Sequence, residues 1–307
     1  MRILLTGVNG QVGTDLLPLL QPLGEVIAAS RAECDLASVE AIRKLVAALR
    51  PDVIVNPAAY TAVNDAEAHS ELAYAINATA PGVLAEEARK SGAMLVYYST
   101  DYVFDGAKPG AYTEDDVPAP LNVYGASKLA GERAVAAAGG RFLVLRTSWV
   151  YGANGNNFLK TILRLAAERE ELKIVDDQVG APTSSLQLAQ ATARLVRQLS
   201  AKTEPEFPSG LYHATAGGSV SWCGFARAIV ETVKAEAGEP LRVRRILPIR
   251  SEEYPTPARR PLNSVLSNEK FERTFGFRLG SWQQGLAEVA RKIRLREANR
   301  SAEKNSL

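Results

Sequence analysis

Tyr124 and Lys128 stand four residues apart in the stretch LNVYGASKLAGE (121–132). On a helix, side chains at i and i+4 share a face. A free phenol has a pKa near 10, too high for ready proton exchange at neutral pH, and bringing it to about 7 takes roughly 4 kcal/mol of preference for the phenolate. A cation about 4 Å away in a partly screened site supplies something of that order. The spacing suits a tyrosine tuned by the lysine as a general acid, although such pairs also arise by chance on many helices.

A second chemistry-bearing stretch opens the chain. In TGVNGQVG, Gly7, Gly10 and Gly13 stand three apart, and Gln11 and Val12 begin the helix expected to follow. Glycines permit a tight turn and close approach of the backbone to a diphosphate, while a helix N-terminus offers free N–H groups. The pattern therefore reads as a dinucleotide-phosphate loop. About twenty residues on, the second strand ends in AASRAECDL, with Ser30 and Arg31 at its tip and no carboxylate. A small hydroxyl beside a guanidinium suits a 2′-phosphate, which favours NADPH and leaves NADH open. The alternative for Arg31 is a solvated loop cation. Flanking the adenine is the alternative open to Asp35 and Leu36.

These groups need a frame. Strands are expected near RILLTG (2–7), EVIAAS (25–30), DVIVNPA (52–58), MLVYYST (94–100) and RFLVLRTSWV (141–150). They barely alternate, as strands buried on both faces do. Helices fall between them. SVEAIRKLVAALR places Val39, Ile42, Leu45, Val46 and Leu49 at helical spacing, and NDAEAHSELAYAIN opens on Asn64 and Glu67, a capping-box variant. Alternation of this kind argues for an α/β fold with a doubly wound parallel sheet. Further on come a helix at 156–170 and short strands at LKIVDD and LYHAT. A helix capped by Ser184 and Gln187 follows, then loops at 201–210 and 251–261 and a last helix from Ser281 that buries Trp282, Leu286, Val289, Ala290 and Ile293. The basic run at 242–250 reads as the exposed face of a strand.

The totals exclude several classes. A net charge of +2 gives no field for nucleic acid or an anionic membrane. Two cysteines and two histidines rule against a disulfide framework or a Cys/His zinc site and fit a reducing cytoplasm. No apolar run is long enough to span a bilayer.

TGVNGQVG, YSTDYVFDG (98–106) and YGASK (124–128) together resemble the extended short-chain dehydrogenase/reductase family. NPAAYTAVNDAE, STDYVFDG, APLNVYGASKLAGE, RTSWVYG, NGNNF, DDQVGAPT and YPTPARRP, in that order, are similar to its dTDP-4-dehydrorhamnose reductases, from Met1 to about Trp282. The resemblance implies an NAD(P)-binding Rossmann domain, drawn at 1–152 with returning segments near 184–200 and 262–268. It also implies a smaller α/β substrate domain at 153–300, followed by a polar tail at 301–307.

The implied reaction reduces the 4-keto group of a dTDP-4-dehydro-β-L-rhamnose. Tyr124 would be the proton donor, Lys128 would hold the nicotinamide ribose, and Thr100 would bond the keto oxygen. Ala58, Ala59, Tyr60 and Thr61 would contact the cofactor, and Asn77 would support the site from within. Asp101 would face sugar hydroxyls and Trp149 a sugar face, with Asn156, Asn157 and Lys160 near the nucleotide. One of Arg259 and Arg260, taken as Arg259, would meet the substrate diphosphate. Some members of the family dimerise through magnesium. Here Asp15 offers one ligand, but the partner positions near Leu186 and Lys292 are apolar or basic, so a homodimer bridged by that ion is not expected. Two other readings remain: an epimerase or dehydratase that retains NAD, and a non-catalytic subunit of an S-adenosylmethionine synthase.

Overall fold

The computed structural model describes residues 1–237 and 241–304. Its first five strands are β1 (Arg2–Thr6), β2 (Glu25–Ala29), β3 (Val53–Asn56), β4 (Met94–Thr100) and β5 (Arg141–Thr147). Three more follow, β6 (Glu171–Val175), β7 (Val179–Gly180) and β8 (Gly210–His213). Six of these form a parallel sheet in the order β2-β1-β3-β4-β5-β8. β8 lies within the stretch assigned from sequence to the substrate domain, yet it closes this sheet beside β5. Because β2 and β3 flank β1 on opposite sides, the strand order switches there, and in open α/β sheets ligands lie in the crevice at such a point. Thr6 Oγ1 donates to Asn56 Oδ1 at 2.6 Å and ties the carboxyl ends of β1 and β3 together.

Strand residues alternate between two cores, because successive side chains point to opposite faces. Ile3, Leu5, Val53, Val55, Met94 and Val96 face one way, against Leu16 and Leu20 of α1 (Gln11–Leu20). Leu4, Ile54, Leu95 and Tyr97 face the other way, against Ile42 and Val46 of α2 (Val39–Leu49). Leu84 of α5 and Val135 of α6 join this second core once the chain has passed two short helices, α3 (Val63–Ala66) and α4 (Ser70–Tyr74). α5 spans Ala80–Ser91 and α6 spans Val123–Ala138.

The expected single helix over 64–77 is broken into α3, α4 and a π-turn at Ala75–Thr79. The capping box expected at Asn64 is also absent: the cap position is Ala62, and no side chain caps it. Glu67 instead accepts from Val123 N, at the start of α6, at 2.8 Å.

A second body holds α7 (Phe158–Glu168), with α8 (Ser185–Leu199) leading back to α1 in the first core. The Ser184–Gln187 capping box forms as read from the sequence. β9 (Val220–Ser221) and α9 (Trp222–Ala237) come next, then β10 (Arg245–Ile249), β11 (Asn263–Ser264), α10 (Glu269–Phe275) and α11 (Trp282–Lys304). Leu159, Ile162, Phe225, Ile229, Trp282, Leu286 and Val289 form this body's core. β10 pairs with β6, and β7 is flanked by β11 and β9. Phe271 and Phe275 of α10 pack into the core of the large sheet. α11 runs as helix to Lys304, through part of the expected polar tail. Residues 305–307 of that tail, and 238–240 of the expected substrate domain, lie outside the described residues. Among the described residues no helix is long and apolar enough to cross a membrane.

Candidate active site

A cleft of about 1040 Å³ runs along the carboxyl ends of β1, β3 and β4 and between the two bodies. Its floor begins at the glycine loop. Gly7 sits at φ +57 and passes Ala58 so closely that a Cβ would lie 2.9 Å from it. A Cβ on Gly13 would lie 2.2 Å from Gly7 O. Glycine is thus required for the loop to fold onto the first turn of α1, whose cap residue Gly10 offers no side-chain bond. The first-turn N–H groups are left without a side-chain cap, as an anion site needs. Gly7, Gly10, Gln11, Val12 and Gly13 all line the cleft, as do Ala58, Ala59 and Thr61. Tyr60 does not; its backbone is held instead by Asn77, which accepts from Tyr60 N at 2.8 Å and donates to Tyr60 O at 3.0 Å. Asn77, fully buried, also donates to Ser127 on α6 at 3.0 Å.

Ser30 and Arg31 line the same cleft. The strand tip is not free of carboxylates, however. Glu33 accepts from Ser30 N at 2.8 Å and from Ser30 Oγ, and these bonds hold its carboxyl below the usual range. Arg31 is mostly exposed and lies 3.8 Å from Asp35. Asp35 and Leu36 do not line the cleft; Leu36 belongs to the sheet core, where an apolar side chain is better placed than against solvent.

Tyr124, Lys128, Thr100 and Asp101 meet at the centre. Asn122 caps α6 through Gly125 N at 2.8 Å, which fixes where the helix begins and so turns Tyr124 and Lys128 toward β4. Lys128 Nζ donates to Tyr98 O at 2.6 Å and sits 4.1 Å from the centre of the Tyr97 ring. Burial pulls Lys128 down to about 7, against the pull of Glu132.

Tyr124 departs from its expected tuning. Burial pushes its phenol up to about 12; a bond from Thr100 works the other way, and Asp101 adds to the rise. Thr100 Oγ1 donates to Asp101 Oδ1 at 3.0 Å and accepts from Tyr102 N. Burial raises Asp101 to about 7, and its Oδ2 has no partner.

The second body supplies the opposite wall. Trp149, at φ +49, stacks on Trp222 with ring centres 3.5 Å apart and planes at 4°. Phe158 packs on Trp222 at 4.5 Å. Asn156 and Asn157 line the cleft, Lys160 does not, and Asn157 is largely occupied in capping α7 and bonding Gln11. Arg259 is exposed; its neighbour Arg260 lines the wall instead. The segment is held from a distance in sequence: Arg259 O accepts from Asn122 Nδ2 at 2.7 Å, which ties it to the start of α6.

Trp222 and Phe158 were not picked out from sequence. The apolar spacing of Trp222, Phe225, Ala226, Ile229 and Val230 was the available sign of α9. Asp15, the magnesium candidate, is engaged by Ser185 Oγ and Lys292 Nζ.

Asn64, Asp101, Thr147 and Arg260 all line the cleft, and each carries a buried polar atom without a partner, as a site built for a polar ligand does. With the glycine cradle, they fit a dinucleotide and a polar co-substrate. The family model for the RmlD substrate binding domain matches residues 1–295. A dTDP-4-dehydrorhamnose reductase of Burkholderia thailandensis is 50% identical over 95% of this chain and 99% of that protein. The chain belongs to the RmlD family of dTDP-4-dehydrorhamnose reductases. An Escherichia coli K12 member is 45% identical over 95% of this chain and 98% of its own. The fold matches the reductase structure from Clostridium acetobutylicum with a TM-score of 0.88 at 38% identity, over 96% of this chain and 100% of that one. The Bacillus anthracis reductase in complex with NADP matches with a TM-score of 0.85 at 38% identity, over 94% and 98%.

Proposed function

We propose that this RmlD-family chain reduces the 4-keto group of dTDP-4-dehydro-β-L-rhamnose to give dTDP-β-L-rhamnose, as a soluble cytoplasmic enzyme using NADPH. The carrying observation is the Tyr124 phenol, set beside Thr100 and Asp101 at the carboxyl edge of β4, in a cleft whose floor is an uncapped helix N-terminus. NADPH, when bound, supplies the hydride. The glycine loop and the first turn of α1 would hold its diphosphate, Lys128 would hold the nicotinamide ribose, and Ser30 and Arg31 would hold the 2′-phosphate.

The protein's own part is the proton. A phenol with a pKa pushed up to about 12 keeps its proton in the resting site and gives it up only when the carbonyl oxygen becomes strongly basic. Tyr124 presents its hydroxyl to that oxygen as charge grows on it, and Thr100 does so once its proton turns from Asp101. Asp101 and Trp149 meet the sugar, and Arg260 is the nearer arginine for the diphosphate of the dTDP group.

Incubating the enzyme with dTDP-4-dehydro-β-L-rhamnose, or its UDP counterpart, and NADPH or NADH tests this reading. Stoichiometric NADPH oxidation with the dTDP sugar is expected. Retained NAD without net oxidation would overturn it in favour of an epimerase-like enzyme. Tyr124→Phe should lower kcat at least a hundredfold with NADPH affinity nearly unchanged, measured by steady-state rates and cofactor fluorescence. Near-normal turnover would remove the phenol from its role.

A further inference from the structure

The face of α6 that carries Tyr124 and Lys128 carries a third ionisable group one turn further on. Glu132 is i+4 from Lys128 and is 5% exposed. Four consecutive residues of β4 address this face. Thr100 lies against Tyr124, Tyr98 O and the Tyr97 ring take the Lys128 ammonium, and Ser99 Oγ donates to Glu132 Oε1 at 2.5 Å. From β5, Arg146 Nε and Nη2 donate to the two Glu132 oxygens at 2.8 and 2.6 Å. Arg146 is itself buried, over the Phe104 ring.

Burying such an ion pair is costly and often no better for stability than apolar packing. A pair set into the helix of the catalytic residues therefore calls for a second use. Resting on the reductase reading, we infer that Glu132 is a positioning residue for the reaction. Its carboxylate, fixed by Ser99 and Arg146, is the counter-charge that keeps the buried Lys128 ammonium charged and so able to hold the ribose beside Tyr124.

The geometry separates the parts. Lys128 has a neutral carbonyl and a ring as direct partners, and neither carries a formal charge. The titratable and charged groups packed around it, among the described residues, are Tyr124 and Glu132 on α6, Tyr97 and Tyr98 on β4, and Arg146 behind Glu132 on β5. The tyrosines are neutral at physiological pH, all three being pushed upward by burial first. Glu132, one turn on along the same helix face, opposes the downward pull of burial on Lys128. Arg146 offsets the burial of that carboxylate through a two-point bond.

The test reads Lys128 directly and does not depend on the substrate being right. The protein is labelled with lysine carrying 13Cε, the Lys128 signal is assigned with Lys128→Arg, and its shift is followed against pH in the wild type, Glu132→Gln and Glu132→Asp. The Glu132→Gln midpoint should fall by at least one pH unit, equivalent to a tenfold loss of charged Lys128 above the midpoint. Glu132→Asp, which retains the charge, should recover most of the shift. The alkaline limb of kcat/KM with NADPH should move to lower pH by the same interval. If Glu132→Gln does not fold, the double variant Glu132→Gln, Arg146→Met, which leaves no unpaired guanidinium, takes its place. An unmoved Lys128 midpoint in a folded variant overturns the inference, whatever happens to kcat. A moved midpoint in a protein that never oxidises NADPH would leave the electrostatics intact and refute the reductase reading alone.

Discussion

Asp101 is the residue whose environment works hardest against its ordinary chemistry. Its carboxyl is 2% exposed, and burial raises it from near 4 to about 7. The folded state therefore binds a proton more tightly than the unfolded one. The stability that this contributes is fully present below the unfolded pKa and is lost as pH rises through about 7. Three pKa units correspond to an upper bound of about 4 kcal/mol. Asp101→Asn should accordingly be more stable than the wild type at pH 8 and indistinguishable from it below pH 4, as read by denaturant midpoints across that range. The amide also mimics the protonated acid toward Thr100, so the variant should retain turnover while its rate profile flattens near neutrality. A stability gap of equal size at both ends of the pH range would show that desolvation of the carboxylate is not its source. A group held at such a cost is typical of functional sites rather than of scaffolds.

At the scale of elements, the parts that sequence made legible are those whose physics is local. β1, β3 and β4 are near-continuous apolar runs because both faces of the sheet are covered, and α2 shows its stripe because one face is. The Tyr124–Lys128 spacing survives because α6 is a regular helix with an asparagine cap. Less local features were not legible. Ser184 with Gln187 and Asn64 with Glu67 carry the same capping signature, but only the first forms, since Glu67 is drawn to Val123 on another helix. The two-residue strands β7, β9 and β11 are too short to show a period. That Arg260 rather than Arg259 faces the cleft depends on a bond from Asn122, 137 residues away. The spacing of Tyr124 and Lys128 is legible in the sequence, whereas the burial that raises the phenol and the bond from Lys128 to the Tyr98 carbonyl are set by the packing of α6 on β4. The capping reading makes its own prediction. Ser184→Ala removes the bond to Gln187 N and should cost about 1 kcal/mol. In a chain of this size that is a fall of about 2 °C in Tm, with kcat and KM unchanged, because no residue of α8 lines the cleft.

Across the whole molecule, the two bodies must keep their relation for the cleft to exist, since the glycine loop lies on one side and Trp222 and Arg260 on the other. Asp15 is one of the ties that hold them. It lies on α1, is 2% exposed, and receives Ser185 Oγ from α8 and Lys292 Nζ from α11. Lys292 is about one-third exposed, so water screens the pair from one side only. Removing the cation leaves a buried carboxylate with a single hydroxyl partner. Loss of one member of a buried pair costs 3–5 kcal/mol, and partial exposure brings this to about 1–3 kcal/mol. Lys292→Met, which retains the apolar stem, should lower the denaturant midpoint accordingly and leave kcat within about twofold, because neither Asp15 nor Lys292 lines the cleft and the tie is one of several. Both Asp15 oxygens are engaged, one by the Lys292 ammonium and one by the Ser185 hydroxyl, and a cation beside the carboxylate repels a divalent ion. Excess EDTA should therefore leave both the melting temperature and the NADPH oxidation rate of the wild type unchanged. If chelation lowered either one, and added magnesium restored it, the ammonium could not be what neutralises Asp15 in solution, and the tie between α1 and α11 would have to be assigned to a metal ion.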